Sequence, residues 1–123
     1  MVNVYHEQIR AVEHYIHAHI DEPLNREVLA EVAGFSIPHF HRVFQGCTGE
    51  SAVAYVRRVR MERAARKLRM GAVDITEVAL AAGYDSHAAF TKAFKKHFGI
   101  SPGEFRELGC AKATALLRKG KST

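Results

Sequence analysis

The side chains with the clearest chemical potential in this sequence are cations set at helical spacing. Residues 51–69, SAVAYVRRVRMERAARKLR, carry seven basic side chains and one acidic one, Glu62. Lysine and arginine bind anions through charge-assisted hydrogen bonds, and arginine does so with a planar set of donors. The stretch has no Gly or Pro and is rich in strong helix formers, which predicts one helix with a positive side open to an anion.

The sequence contains no motif that indicates catalysis. It contains no glycine-rich phosphate loop, no paired-carboxylate motif and no nucleophile with an obvious base beside it. We therefore predict that the chain is not an enzyme and uses no cofactor.

Three of the eight histidines form a pattern, H-x-x-H-x-H, that invites a metal-binding interpretation. On one helix, however, His14, His17 and His19 point in different directions. The pattern also lacks a nearby set of carboxylates or cysteines of the usual kind. We predict solvated surface histidines and no metal site.

The formal charge of +5 conceals an asymmetry between the two parts of the 123-residue chain. Residues 1–50 carry three Lys/Arg against seven Asp/Glu, a net of −4, whereas residues 51–123 carry fifteen against six, a net of +9. This asymmetry indicates a polyanionic partner for the basic part. Two cysteines, no signal peptide and no apolar run near the roughly 20 residues that span a bilayer predict a reduced, cytoplasmic protein.

Apolar periodicity and capping residues predict an all-α chain. We predict helices over residues 6–20, 26–33, 37–47, 51–69, 75–82, 87–98 and from 102 to about 108. The residues that start helices are of the usual N-capping types: Asn25, Ser36, Ser51, Asp74, Ser86 and Ser101. Gly34 and Gly83 follow two of the short helices and supply tight turns there.

The basic helix carries two apolar stripes on nearly opposite sides. One consists of Ala52, Tyr55, Val56 and Val59, and the other of Met61, Ala64, Ala65 and Leu68. Because a helix buries its apolar stripe, its two halves should pack against different parts of the chain. This predicts a first subdomain over residues 1–50, a linker helix over 51–70 and a second subdomain over 71–108. A basic tail over 109–123 is then a frayed helix, a disordered segment or the start of a linker.

The same sequence of helix, turn and capping signals occurs twice along the chain. Residues 29–51 and 78–101 each predict a short helix, a turn at a glycine and a capped second helix, the pattern of a helix-turn-helix. The aligned pairs include Ala30 with Ala79, Gly34 with Gly83 and, after one inserted residue, Phe40 with Phe90. A connecting helix roughly 30 Å long could hold the two second helices about 34 Å apart, which is one turn of B-DNA.

These segments resemble a known family. The stretches VAGFSIPHFHRVFQGCTGES, YVRRVRMERAARKL, ITEVALAAGY and FTKAFKKHFGISPGEFR look like the DNA-binding domain of AraC/XylS-type bacterial transcription regulators, over about residues 6–108. The resemblance implies seven helices in two helix-turn-helix subdomains joined by a long linker helix. It also implies sequence-specific binding of double-stranded DNA by one monomer across two successive major grooves. Transcriptional activation, often through recruitment of RNA polymerase, is a further implication.

In the first copy, the exposed positions of the second helix include several hydrogen-bonding side chains. Arg42 can donate two bonds to guanine O6 and N7, and His39 and His41 can donate to bases or phosphates. The resemblance places base contacts on Pro38, His41 and Arg42. Gln45, a predicted phosphate contact, stands where family members often carry a basic residue, which argues against strong phosphate anchoring by this unit. Backbone amides at the Ser36 helix start can bind a further phosphate.

In the second copy, the exposed positions are His87, Ala88, Thr91, Lys92, Lys95 and Lys96. The resemblance implies that the first four face the groove and that Lys95 faces the DNA backbone. We predict phosphate contacts for Lys96 and for the amides at the Ser86 helix start as well.

A helical protein-interaction module without DNA binding is the alternative function. It explains the amphipathic helices but neither the doubled pattern nor the basic linker. The reactive cysteine cluster of DNA-repair methyl acceptors, some of which carry a related helical domain, is missing from the sequence. The effector domain usual in such regulators is also missing, so we expect either a stand-alone, nucleoid-associated regulator or the N-terminal piece of a longer protein whose effector domain begins after the tail.

Overall fold

The structure is a computed structural model that describes residues 4–71 and 74–108. Over these residues the chain is all-helical, which confirms the predicted fold class. The seven described helices are α1 His6–Ala18, α2 Arg26–Ala33, α3 Ile37–Thr48, α4 Ala52–Arg69, α5 Ile75–Ala81, α6 His87–Phe98 and α7 Pro102–Glu107. Within this part of the chain, no helix is both long and apolar enough to cross a membrane. The predicted tail, residues 109–123, lies outside the described residues.

The two apolar stripes of α4 belong to two different cores, as predicted. Its first half contributes Ala52, Tyr55, Val56 and Val59 to one buried cluster. Its second half contributes Met61, Ala64, Ala65 and Leu68 to another. The chain accordingly divides into two compact units between Val59 and Arg60, so that each half of α4 is part of a unit.

The core of the first unit is built from one apolar stripe on each of its helices. The buried residues of α1, α2 and α3 are Ile9, Val12, Ile16, Leu29, Ala30, Ala33, Phe40, Val43 and Phe44. Ile20 is also buried, but α1 ends at Ala18 and not at residue 20 as predicted. The apolar spacing continues past the helix end because Ile20 enters the core from the turn that follows.

The core of the second unit is dominated by phenylalanines. Phe90, Phe94 and Phe98 follow one another at i, i+4 spacing along α6, and Phe105 of α7 completes the cluster. The rings of Phe94 and Phe105 meet edge to face with centroids 5.4 Å apart. A capping box that sequence analysis did not specify starts α7, where Ser101 and Glu104 exchange side-chain and backbone hydrogen bonds. The bonds from Ser101 lower the pKa of the exposed Glu104 carboxyl.

The turn of each helix pair is closed by the same two hydrogen bonds. In the first unit, the Phe35 amide donates to Ala30 O and the Gly34 amide donates to Glu31 O, both at 3.0 Å. In the second unit, Tyr84 donates to Ala79 O at 3.1 Å and Gly83 to Leu80 O at 3.0 Å. Both glycines have positive φ, 77° and 92°, as this way of ending a helix requires. The sequence repeat is therefore also a repeat of backbone geometry.

Gly34→Ala should lower the free energy of unfolding by about 1 kcal/mol, because an L-residue is strained at this φ. A Cβ at Gly34 would meet nothing within 4 Å, so steric clash does not contribute. Gly46→Ala is the matched control, since Gly46 lies inside α3 and also has open space around it. It should raise the free energy of unfolding by about 0.5–1 kcal/mol. Urea titration of both variants checks the opposite signs, and equal effects would contradict the argument.

Candidate nucleic-acid interface

α3 buries one face in the first core and exposes a polar face on the opposite side. The exposed face contains Pro38, Arg42 and Gln45, which lie at i, i+4 and i+7 and therefore share one side of the helix. His41 flanks this face, is half-buried, and has its ring centroid 5.7 Å from that of Phe40. Pro38 lies in the first turn of the helix, as predicted, where its missing N–H costs little.

α6 repeats this arrangement in the same register. Both helices have 12 residues, follow a serine N-cap and end at a glycine in the left-handed conformation. Position for position, Pro38 corresponds to Ala88, His41 to Thr91, Arg42 to Lys92 and Gln45 to Lys95. Ala88, Lys92 and Lys95 are exposed and Thr91 is half-buried; His87 and Lys96 are exposed beside them. In each unit, most of the predicted DNA-contacting side chains thus lie on one helix face.

The two faces differ in charge. The face of α3 carries one arginine, Arg42, and no lysine, whereas α6 carries three lysines, Lys92, Lys95 and Lys96. At the position where α3 has the neutral Gln45, α6 has a lysine. The second unit therefore offers the stronger electrostatic attraction to a polyanion.

The two helix starts differ in the backbone donors that they offer. The Ser36 hydroxyl accepts from the His39 amide at 3.4 Å, and the Ser86 hydroxyl accepts from the Ala89 amide at 3.1 Å. Ahead of these bonded amides, α6 has two N–H groups, on His87 and Ala88. α3 has one, on Ile37, because Pro38 carries no N–H. In each cap bond the serine oxygen accepts, so both the amides beside the serine and its own O–H are donors that can bind an anion.

His39 lies away from the exposed face of α3, in a cluster of aromatic rings. Its ring centroid is 4.6 Å from that of Phe35 and 5.3 Å from that of Tyr5. Sequence analysis missed this cluster because Tyr5 precedes α1 and lies far from His39 along the chain.

The cations of α4 are not all available to an anion. Arg58 forms an ion pair with Glu50, with Nη2 and Oε2 3.2 Å apart, and its guanidinium carbon lies 5.0 Å from the Tyr55 ring centroid. Glu62, the only acid of the helix, is 3% exposed. The exposed charged side chains of α4 are all arginines: Arg57, Arg63 and Arg66.

Tyr55 of α4 supports the inner face of α3. Its ring meets that of Phe44 edge to face at 5.5 Å, and its hydroxyl lies 3.3 Å from Nε2 of His17 on α1. Burial, followed by the negative charge of Glu13, raises the pKa of Tyr55 to about 12.

The three histidines of the H-x-x-H-x-H pattern, which were predicted to be solvated and not to bind a metal, have separate surroundings, and His19 lies just past the end of α1 and is half-buried. His17 contacts Tyr55, whereas His19 stacks on Tyr15 at 4.1 Å and pairs with Glu22 at 2.6 Å. His14 is exposed. Among residues 4–71 and 74–108, no group of three potential ligands is placed to hold a metal ion.

Comparison with known proteins connects this paired architecture to a family. A model described as a helix-turn-helix domain matches residues 29–108. The chain belongs to the AraC/XylS-type helix-turn-helix family. It is 38% identical over 98 residues to the right origin-binding protein of Escherichia coli K12, covering 80% of this chain and 34% of that protein. It is 33% identical over 102 residues to the regulatory protein SoxS of Salmonella typhimurium, covering 82% of this chain and 95% of SoxS.

A solved structure supports the same assignment. A transcriptional regulator from Chromobacterium violaceum, with an AraC-type DNA-binding domain, superposes with a TM-score of 0.77 and 28% identity, covering 82% of this chain and 90% of that one. The chain spans about a third of the length of the first relative, the right origin-binding protein. Family membership confirms the resemblance predicted from the sequence motifs.

Because the pKa of Tyr55 is raised, we expect the stability of the fold to depend on pH in the alkaline range. The fold favours the neutral phenol, so this contribution to stability is complete below about pH 10 and is lost as pH rises to about 12. The free energy of unfolding of the wild-type chain should therefore fall more steeply between pH 10 and 12 than that of Tyr55→Phe. Denaturant titrations at several pH values measure the difference. Parallel curves for the two proteins would show that Tyr55 ionises equally easily in the folded and unfolded states.

Proposed function

We propose that this chain is the DNA-binding part of a sequence-specific transcription regulator that reads duplex DNA with α3 and α6. The observation that carries the proposal is the matched pair of exposed faces, each behind a serine cap and a glycine turn. Each helix would lie in a major groove and present its exposed face to base edges, as the second helix of a helix-turn-helix does. A single molecule would read two motifs about one helical turn apart.

We assign the base-reading roles in the first unit to Pro38, His41 and Arg42. Arg42 is exposed at the centre of the face and can form a bidentate contact with guanine. Pro38 can make only an apolar contact, which suits a thymine methyl group. Gln45, one turn further along, is the proposed phosphate contact of this unit.

In the second unit we assign base reading to His87, Ala88, Thr91 and Lys92, and phosphate contacts to Lys95 and Lys96. The amides beside Ser86 add donors for a phosphate at the helix start. Because this face carries more cations than that of α3, we expect the second unit to contribute more of the salt-dependent affinity.

The partners beyond DNA follow from the family. We propose that the protein acts as an activator at the nucleoid in the bacterial cytoplasm and recruits RNA polymerase as its protein partner.

Arg42→Ala should relax base preference at one position of the motif read by α3, at a cost of about 1–3 kcal/mol for the preferred base pair. Selection from a random duplex library, with the wild-type chain and the variant, measures this change. Lys95→Ala is the control for a backbone contact and should weaken binding to all duplexes similarly while leaving the selected motif unchanged. Binding untouched by both substitutions would contradict the groove assignment. If the wild-type chain bound no duplex even at low salt, the result would favour the alternative function, a helical protein-interaction module without DNA binding.

A reciprocal exchange at the matched position of the two helices tests the electrostatic difference. Lys95→Gln removes one phosphate-neutralising charge and should make the slope of log K against log salt shallower by about 0.9. Gln45→Lys should make the slope steeper by a similar amount. Fluorescence anisotropy with one duplex at four or more salt concentrations gives both slopes. If neither slope changed, these two positions would not face phosphates.

A further inference from the structure

Three aromatic rings in the first unit contact one another beside the start of α3. The ring of Tyr5 meets Phe35 edge to face at 5.1 Å and His39 edge to face at 5.3 Å, and Phe35 lies 4.6 Å from His39. All three side chains are half-buried. Phe35 belongs to the glycine turn, and His39 is the third residue of α3. Tyr5 therefore contacts both the turn and the helix that the turn introduces.

The starts of α3 and α6 each have one side-chain cap bond and one first helical bond, which runs from the Phe40 amide to Ser36 O at 2.8 Å in α3 and from the Phe90 amide to Ser86 O at 3.2 Å in α6. Pro38 contributes no N–H, and the cap bond from the His39 amide to Ser36 Oγ is 3.4 Å long, against 3.1 Å for the corresponding bond in α6. A 3.4 Å bond lies beyond the usual range for N–H···O hydrogen bonds. The contacts of the His39 ring with Tyr5 and Phe35 therefore add packing to a first turn whose side-chain cap bond is long.

The second unit is built differently at the corresponding point. Ala89 takes the position of His39 and has no ring to pack. Tyr84, which aligns with Phe35, has its ring 5.6 Å from that of Phe90 in the core. The ring cluster of Tyr5, Phe35 and His39 is therefore a feature of the first unit that the sequence repeat does not contain.

We propose that Tyr5 is a positioning residue for sequence reading by α3, acting through His39. The inference rests on the proposed function and assigns His39 a packing role in place of a base contact. By fixing the turn and the first turn of the helix, the cluster sets the direction in which Pro38 and Arg42 project. Base contacts depend on such placement because a bidentate pair tolerates little misalignment.

The test compares four single substitutions in the full chain, two at Tyr5, one at Tyr15 and one at His39, with a double variant at Tyr5 and His39. Tyr5→Ala removes the central ring, and Tyr5→Phe keeps the ring without its hydroxyl. Tyr15→Ala is the matched control, because Tyr15 is also half-buried and also packs on a histidine ring, that of His19, but away from α3. Each variant is used to select duplexes from a random library. The α3 and α6 motifs are identified beforehand as those altered by Arg42→Ala and Lys92→Ala.

Tyr5→Ala should weaken discrimination in the α3 motif by about threefold to tenfold, the range expected for lost ring pairs. Discrimination in the α6 motif should not change, which separates positioning from general destabilisation. Tyr5→Phe should retain both motifs, and so should Tyr15→Ala. His39→Ala should reproduce the effect of Tyr5→Ala, and the double variant should lose no more than either single one.

Two results would overturn the inference. One is an α3 motif unchanged by Tyr5→Ala. The other is a loss with His39→Ala that Tyr5→Ala does not share, which would return His39 to direct base contact.

Amide hydrogen exchange of the DNA-free protein distinguishes failure of the positioning role of Tyr5 from failure of the proposed function. Tyr5→Ala should speed exchange at His39 and Phe40 but not at Ala89 and Phe90. If the wild-type chain selected no motif, the proposed function and the reading role of Tyr5 would both fall. If motifs were selected but exchange at His39 were unaffected, the positioning role alone would fall.

Discussion

The constraint on which the rest of the structure depends is that α4 must bury apolar side chains in two separate cores. Tyr55 and its neighbours complete the first core, and Leu68 and its neighbours complete the second. Neither core is complete without its half of this helix, because each short helix pair has only a narrow apolar stripe of its own. The same constraint decides which charged side chains of α4 are exposed, since Glu62 is buried while the exposed charged side chains are arginines.

Each unit then applies the same local rules to produce a reading helix. A left-handed glycine ends the first helix, a serine caps the second, and phenylalanines at i, i+4 spacing fix which face is buried. The opposite face is exposed as a consequence, whatever residues occupy it. Because the scaffold does not depend on the exposed side chains, the two faces can differ in charge and hydrogen-bonding capacity, and they do at Gln45 and Lys95.

The accuracy of the sequence predictions follows the strength of the local signals. The bounds of α2 were predicted correctly, because Asn25 caps one end and Gly34 takes the left-handed conformation at the other. The end of α1 was misplaced by two residues, since Ile20 continues the apolar spacing from outside the helix. On the candidate site, the exposed face of α3 was predictable from periodicity. The packing of His39 was not, because its partner Tyr5 lies 34 positions earlier in the chain.

The sequence by itself determined the helices, their caps, the repeat and the family, since these depend on residues a few positions apart and on motifs that can be read directly. Only the tertiary structure decided which of the polar side chains on the helix surfaces acquire partners from other elements. Arg58 is engaged by Glu50 and Tyr55, whereas Arg42 is exposed, although both are arginines on the surface of an amphipathic helix. The physical reason is that a charged side chain's partners are set by the approach of other elements, which no helical period encodes.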